Sequence, residues 1–136
     1  MKNIILISIS IFFIISCNTR VSSQLVSGVE YRISKIDSVK DIYLIYAEKT
    51  NVSIPNTVLL KIASAKTKNK CRNNSLLINK IYKLNLESLY PKNFVSHHYL
   101  QGITFKNVFI SFDKEYNVKK DLFITNDIEG MCYVKK

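Results

Sequence analysis

Three kinds of residue are scarce in this 136-residue chain, and each scarcity closes off a chemistry. Glycine occurs three times, at Gly28, Gly102 and Gly130, too far apart for the phosphate-cradling loop of a P-loop or a dinucleotide fold. Histidine occurs twice, as the adjacent pair His97-His98, and cysteine three times, at Cys17, Cys71 and Cys132. No CxxC, HExxH or Cys/His finger spacing can be written from that inventory, so neither a metal nor a cofactor is expected. Acidic residues number ten against twenty Lys and Arg, for a net charge of +10. Those ten carboxylates are scattered, nearly all beside Lys or in turn positions, and read as solvated surface rather than as an acid/base pair. What remains is a globular balance of 47% hydrophobic and 22% charged residues, enough for one domain and short of two.

The chain begins Met1-Lys2-Asn3 and continues as an apolar run from Ile4 to Ile15, broken only by Ser8 and Ser10. Such a run falls well short of the roughly 20 residues that cross a bilayer and suits the core of a signal peptide. It ends Ile14-Ile15-Ser16-Cys17, which resembles the lipobox of bacterial lipoproteins: aliphatic residues, one small residue, then the Cys that carries lipid. The resemblance covers about an eighth of the chain and implies cleavage after Ser16 and diacylglycerol on the Cys17 thiol. Residues 1–16 are then the signal peptide, 17–28 the lipidated Cys and a Ser-rich tether, and 29–136 the folded domain. Loss of Lys2 takes the side-chain charge from +10 to +9. Several acyl chains, at about 0.8 kcal/mol per buried CH₂, supply the membrane affinity without a spanning helix. Asn18 after the Cys, rather than Asp, implies the outer membrane, and the lack of acids from Cys17 to Gln24 implies a domain facing the periplasm.

Within the domain, Val29, Tyr31 and Ile33 alternate with Glu30 and Arg32, the period of a strand with one buried face. Ile42 to Ala47 (IYLIYA) is a short apolar run whose length favours a core strand, with the hydroxyls of Tyr43 and Tyr46 expected at a wet edge. Val58, Leu60 and Ile62 alternate again, and Tyr82, Leu84 and Leu86 alternate with Lys83, Asn85 and Glu87 in the clearest strand. Ile103 and Phe105, then Val108, Ile110 and Phe112, are two patterns out of phase at Lys106-Asn107, which calls for a bulge or a tight turn. Two short strands near Leu122–Ile124 and Met131–Val134 flank a turn at 126–130. The fold class is mainly β: a small single-domain antiparallel barrel, OB-like, or else a sandwich.

With Cys17 given to lipid, Cys71 and Cys132 are left as an even pair in an exported protein, and a disulfide is expected. Closing that loop disfavours the unfolded chain by roughly 4 kcal/mol in the chain-entropy account. A reactive thiol at Cys71, flanked by Lys70 and Arg72, is the alternative. The segment Lys66–Ser75 (KTKNKCRNNS) reads as an exposed loop, and Lys61, Lys66, Lys68, Lys70 and Arg72 fall within twelve residues without an acid among them. Lys, Asn and Ile are all abundant and favoured by AT-rich codons, so genome composition alone is enough to supply much of this excess and is the first explanation. As a functional feature, Lys66, Lys68, Lys70 and Arg72 suit an anionic lipid or protein partner, and the signal segment takes the chain away from nucleic acid.

His97 and His98 have no spaced Cys, Asp or Glu, and no Ser-bearing Gly elbow or framed carboxylate pair accompanies them, so no catalytic set is assigned. The run YRISKIDSVKDIYLIYAEK, the basic Cys71 loop, KIYKLNLESLYP and the closing MCYV resemble small uncharacterised lipoproteins of Bacteroidetes. That resemblance implies export, anchoring and a compact β domain. Asp37-Ser38-Val39 is similar to the tripeptide at which such bacteria attach O-glycans, which would make Ser38 a glycosylation site; the plain alternative is a turn between two strands. The function expected is a membrane-anchored envelope binding module. The alternatives are an inhibitor or immunity protein against an envelope-acting toxin, or a small envelope hydrolase using His97 or His98.

Overall fold

The computed structural model describes residues 28–51, 58–92 and 100–134. Among these there are ten strands and no helix: β1 (Val29–Val39), β2 (Ile42–Lys49), β3 (Leu59–Ala65), β4 (Ile81–Leu84), β5 (Glu87–Ser88), β6 (Gly102–Phe105), β7 (Val108–Ser111), β8 (Phe123–Ile124), β9 (Ile128–Glu129) and β10 (Cys132–Tyr133). β1, β2 and β3 form an antiparallel meander whose β-branched and aromatic residues suit a pleated surface packed on both faces. β4 pairs with β1, β8 runs parallel to β3 through Ile62 and Phe123, and β5 pairs with β8, giving the order β4-β1-β2-β3-β8-β5.

Leu84 and Glu87 therefore sit on opposite edges of this sheet although three residues apart in sequence, a span of at most about 10 Å. Two edges that close can meet only if the sheet curls. The result is a half-barrel, and with β4 and β5 taken as halves of one bent strand it is the partly open, five-stranded, OB-like arrangement. Two expectations need correction here. The pairing is not wholly antiparallel, since β3 and β8 are parallel. The alternating run Tyr82–Glu87 is not one straight strand either: Asn85 donates its N–H to Asp127 Oδ2 at 2.6 Å, which draws the chain away from β1 and towards β8.

Each face of the sheet carries its own core. The inner one takes Tyr31 and Ile33 from β1, Ile45 and Ala47 from β2, Ile62 from β3, Tyr82 and Leu84 from β4 and Phe123 from β8, with Leu76 and Ile128. Contributions from every long strand mark it as the barrel interior. The outer core joins Ile42, Leu44, Tyr46 and Ala63 of β2 and β3 to Val108 and Ile110 of the β6–β7 hairpin and to Val118 and Leu122. β1 serves both cores because its register slips between Ile33 and Lys35, so that Ile33 and Ile36 both face inward although three residues apart.

The phase change at Lys106-Asn107 is a tight turn: Phe105 pairs with Val108, and both turn residues have positive φ, 45° and 63°, as a two-residue hairpin loop of right-handed twist demands. Gly102 starts that hairpin because nothing larger fits. A Cβ there would lie 2.3 Å from the Ile110 carbonyl oxygen and 2.8 Å from the Ser111 Cα. The β1–β2 connection is the pair Lys40-Asp41, with Lys40 at φ 49°. Asp37-Ser38-Val39 is accordingly the end of β1 and not a turn.

Candidate functional site

The most concentrated polar chemistry among the described residues lies in the outer core. Lys61 stands opposite Tyr46 in the β2–β3 register, and the slip in β1 brings Lys35 opposite Tyr46 from the other side. Both ammonium groups approach the Tyr46 ring, Lys35 Nζ at 5.1 Å and Lys61 Nζ at 5.6 Å from its centroid, within cation–π range. Lys61 is only 3% exposed; its Nζ forms an ion pair with Asp113 Oδ2 at 2.5 Å and donates to the Ser111 carbonyl at 2.9 Å. The Tyr46 hydroxyl donates to both Asp113 oxygens, at 3.3 and 3.5 Å. Burial, reinforced by the neighbouring Asp113 charge, holds this phenol well above the ordinary tyrosine range.

This arrangement overturns two expectations. Lys61 is not part of the exposed basic cluster but a buried cation tied to a carboxylate 52 positions further on, and Tyr46 has its hydroxyl inside the protein rather than at a wet edge. Asp121 also departs from the solvated-surface reading. It is 5% exposed and accepts from the Ser88 hydroxyl at 2.8 Å and from the Leu122 N–H at 2.7 Å. Lys61, Tyr46 and Asp113 are spent on one another and on backbone, and Asp121 on Ser88, Lys119 and the Leu122 N–H. Their joint effect is to fasten the β6–β7 hairpin and the 113–122 segment to the sheet. Asp113 opens outwards onto a groove of about 910 Å³ that Phe109, Tyr116 and Lys120 also line, and Asp121 borders a second groove with Ser88, Tyr90 and Lys119.

The residues singled out in the sequence lie elsewhere. Cys71 and Cys132 form a disulfide, with their Cα atoms 5.4 Å apart, so the thiol alternative for Cys71 does not apply. Main-chain bonds hold the two segments side by side: Leu76 N–H to the Met131 carbonyl, and Tyr133 N–H to the Asn74 carbonyl. Lys66, Lys68, Lys70 and Arg72 are all exposed, as the loop reading expects, and none pairs with a described carboxylate. Lys66 is fixed more than the others, its N–H bonded to the Asp41 carbonyl and its Nζ 5.3 Å from the Tyr43 ring centroid.

Ser38 is exposed on β1. Its N–H donates to Asp37 Oδ1, and this bond, with help from Lys35, holds the Asp37 carboxyl below the usual range. Cys17, His97 and His98 lie outside the described residues. Among the described residues no three His, Cys, Asp or Glu side chains gather into a set that could hold a metal. Comparison with protein-family models, with curated proteins and with solved structures gives no match.

Proposed function

We propose that the chain is a lipid-anchored envelope protein whose β domain is a binding module. The observation that carries this reading is the Cys71–Cys132 disulfide. Such a bond belongs to an oxidising compartment, as export through a signal peptide would provide. It also uses two of the three cysteines and leaves Cys17, the one that ends the apolar run, for lipid. The periplasmic face of an outer membrane is the address that Asn18 and the acid-free stretch after Cys17 favour.

Binding rather than catalysis is favoured by how the charged groups are used. The outer-core titratable groups are committed to internal partners, while Lys66, Lys68, Lys70 and Arg72 stand in solvent without a described counter-charge. Like charges this close repel, and an anionic partner relieves the repulsion. Exposed pairs of that kind are screened over about 8 Å at physiological ionic strength, so binding should weaken with salt.

Intact mass of the membrane fraction tests the anchor: loss of residues 1–16 and gain of diacylglycerol and acyl mass are expected, and a soluble, unmodified protein overturns it. For binding, envelope proteins and lipids captured by the anchored form are compared with those captured by a variant in which the four cations become Glu. Loss of capture is expected. Equal capture at low and high salt by both forms removes the loop from the site.

A further inference from the structure

Residues 76–81 (Leu-Leu-Ile-Asn-Lys-Ile) hold the densest aliphatic run outside the strands β2 and β3 of the described chain, and most of it faces water. Leu76 turns inward at 4% exposure, but Leu77 is 54%, Ile78 53% and Ile81 45% exposed. Single exposed aliphatics are ordinary on a protein surface; three within five residues make a patch. The exposure is not slackness of the chain. Lys80 N–H bonds to the Leu77 carbonyl, Asn79 N–H to the Ile33 carbonyl, Ile33 N–H to the Lys80 carbonyl, and Leu77 N–H to the Tyr82 hydroxyl. Asn79 takes φ 67°, the left-handed conformation that Asn tolerates better than most residues. The turn is thus pinned to β1 while its aliphatic side chains are held outwards, so little ordering would be needed on docking.

Two further observations indicate what the patch meets. Lys80 lies within it, and Ile81 and Lys83 share the exposed side of β4, so the aliphatic groups have a cation on each side, with Glu30 facing Lys83 across the ladder. The end of the tether is there too: Gly28 abuts Lys83, with its Cβ position 3.4 Å from the Lys83 Cβ, and Ile81 is two residues along the same strand, about 7 Å away. Aliphatic side chains at the depth of the acyl boundary with ammonium groups at headgroup level make an interfacial surface.

We propose that the Leu77–Lys80 turn, with Ile81 and Lys83, is the face on which the anchored domain rests against an anionic bilayer. The proposal rests on the lipid-anchor reading and names its partner as the membrane surface itself. In this position the lipid and the turn act together: the anchor raises the local concentration, and the turn fixes which side of the barrel faces the lipid.

The chain has no Trp, so one introduced indole is the only such emitter. The full chain carrying Ile78→Trp, and a second carrying Leu77→Trp, would be expressed, processed and reconstituted into phosphatidylglycerol-containing vesicles and into vesicles of phosphatidylcholine alone. Tyr116→Trp, at a fully exposed position on the outer-core loop, serves as reference. In the anionic vesicles the indole at 78 or 77 should emit at shorter wavelength and lose at least half its intensity to lipids brominated along the acyl chain. The indole at 116 should remain water-like. Lipidated protein whose indoles at 78 and 77 both stay water-like, or one quenched equally at 116, overturns the docking face and leaves the anchor intact. Intact mass on the same sample separates the two readings, because unlipidated protein overturns the anchor and the docking that rests on it.

Discussion

The two cores lie back to back on β2 and β3, yet they hold their layers by different means. The inner core is aliphatic and aromatic, enclosed by strands that the sheet already orders, and among the described residues it buries the hydroxyls of Tyr31, Tyr82 and Ser64 but no ion pair. The outer core has to seat a two-stranded hairpin that makes no ladder with the sheet, and there Lys61, Tyr46 and Asp113 are inserted among the aliphatics. Apolar contact is indifferent to sliding. A buried pair with one good geometry is not, so the polar groups supply register where hydrogen-bonded pairing does not. The inner core should therefore carry global stability, and the outer core the placement of the hairpin and of the groove beside Asp113.

The strongest way to break this division is Ile45→Ala. Ile45 is fully buried in the inner core, and deleting a side chain of that size costs about 2–5 kcal/mol. That is a large share of the 5–15 kcal/mol typical of a domain. Urea unfolding followed by circular dichroism should show a single transition at a much lower midpoint. A domain that loses only part of its signal, with the remainder unfolding at the original midpoint, would mean that the inner core is not the common foundation.

Lys61→Ala comes next and should act locally. Removing one member of a buried pair generally costs 3–5 kcal/mol, but Asp113 is 27% exposed and water can take over part of its solvation, so about 1–3 kcal/mol is expected. Hydrogen exchange should show the amides of Gly102–Ser111 losing protection while those of β1 and β4 keep theirs. Adding Asp113→Asn should restore part of the loss, because it removes the orphaned charge. Equal loss of protection in β1 and β4 would place the ion pair within the global core.

How much of this division can be read in the sequence depends on the range of the interaction. Alternation in Val29–Ile33, the IYLIYA run and the two half-patterns around Lys106-Asn107 are local signals, and they yield the strands and the tight turn. The pairing of Cys71 with Cys132 is what the even count left after Cys17 leads one to expect of an exported chain, and the disulfide is there. Lys61 and Asp113 are invisible by such means: each is an ordinary charged residue in its own neighbourhood, and only the fold makes them partners. Lys61 had one local sign, its place inside the alternating stretch Leu60–Ile62, but a lysine there reads as the solvent face until the hairpin is known to cover it. The break after Leu84 is hidden for the same reason, since Asp127, which draws Asn85 aside, is 42 residues away. The outward-facing aliphatics of the Leu77–Lys80 turn carry no alternation that would mark which side faces water, so their exposure too is set by the fold.

The smallest effect sharpens the comparison most, since Tyr46→Phe removes one hydroxyl from the outer core and leaves its ring in place. Loss of the bond to Asp113 should cost about 1 kcal/mol or less near neutral pH. The cost should also depend on pH in a definite sense. Burial and the Asp113 charge raise the Tyr46 pKa in the folded protein above the value near 10 that it has in the unfolded chain. Below pH 10 both states hold the proton and the contribution of the hydroxyl is complete. Above pH 10 the unfolded chain releases the proton while the folded one retains it, so alkali favours unfolding. Tyr31, also raised by burial, is present in both proteins and drops out of their difference. Urea midpoints of the parent and of Tyr46→Phe, measured from pH 8 to 11, should therefore start with the parent ahead and converge as pH rises past 10. A gap that stays constant would mean that the hydroxyl ionises as easily in the folded state as in the unfolded one. The outer core would then be open to water at its polar centre, unlike the inner core behind it.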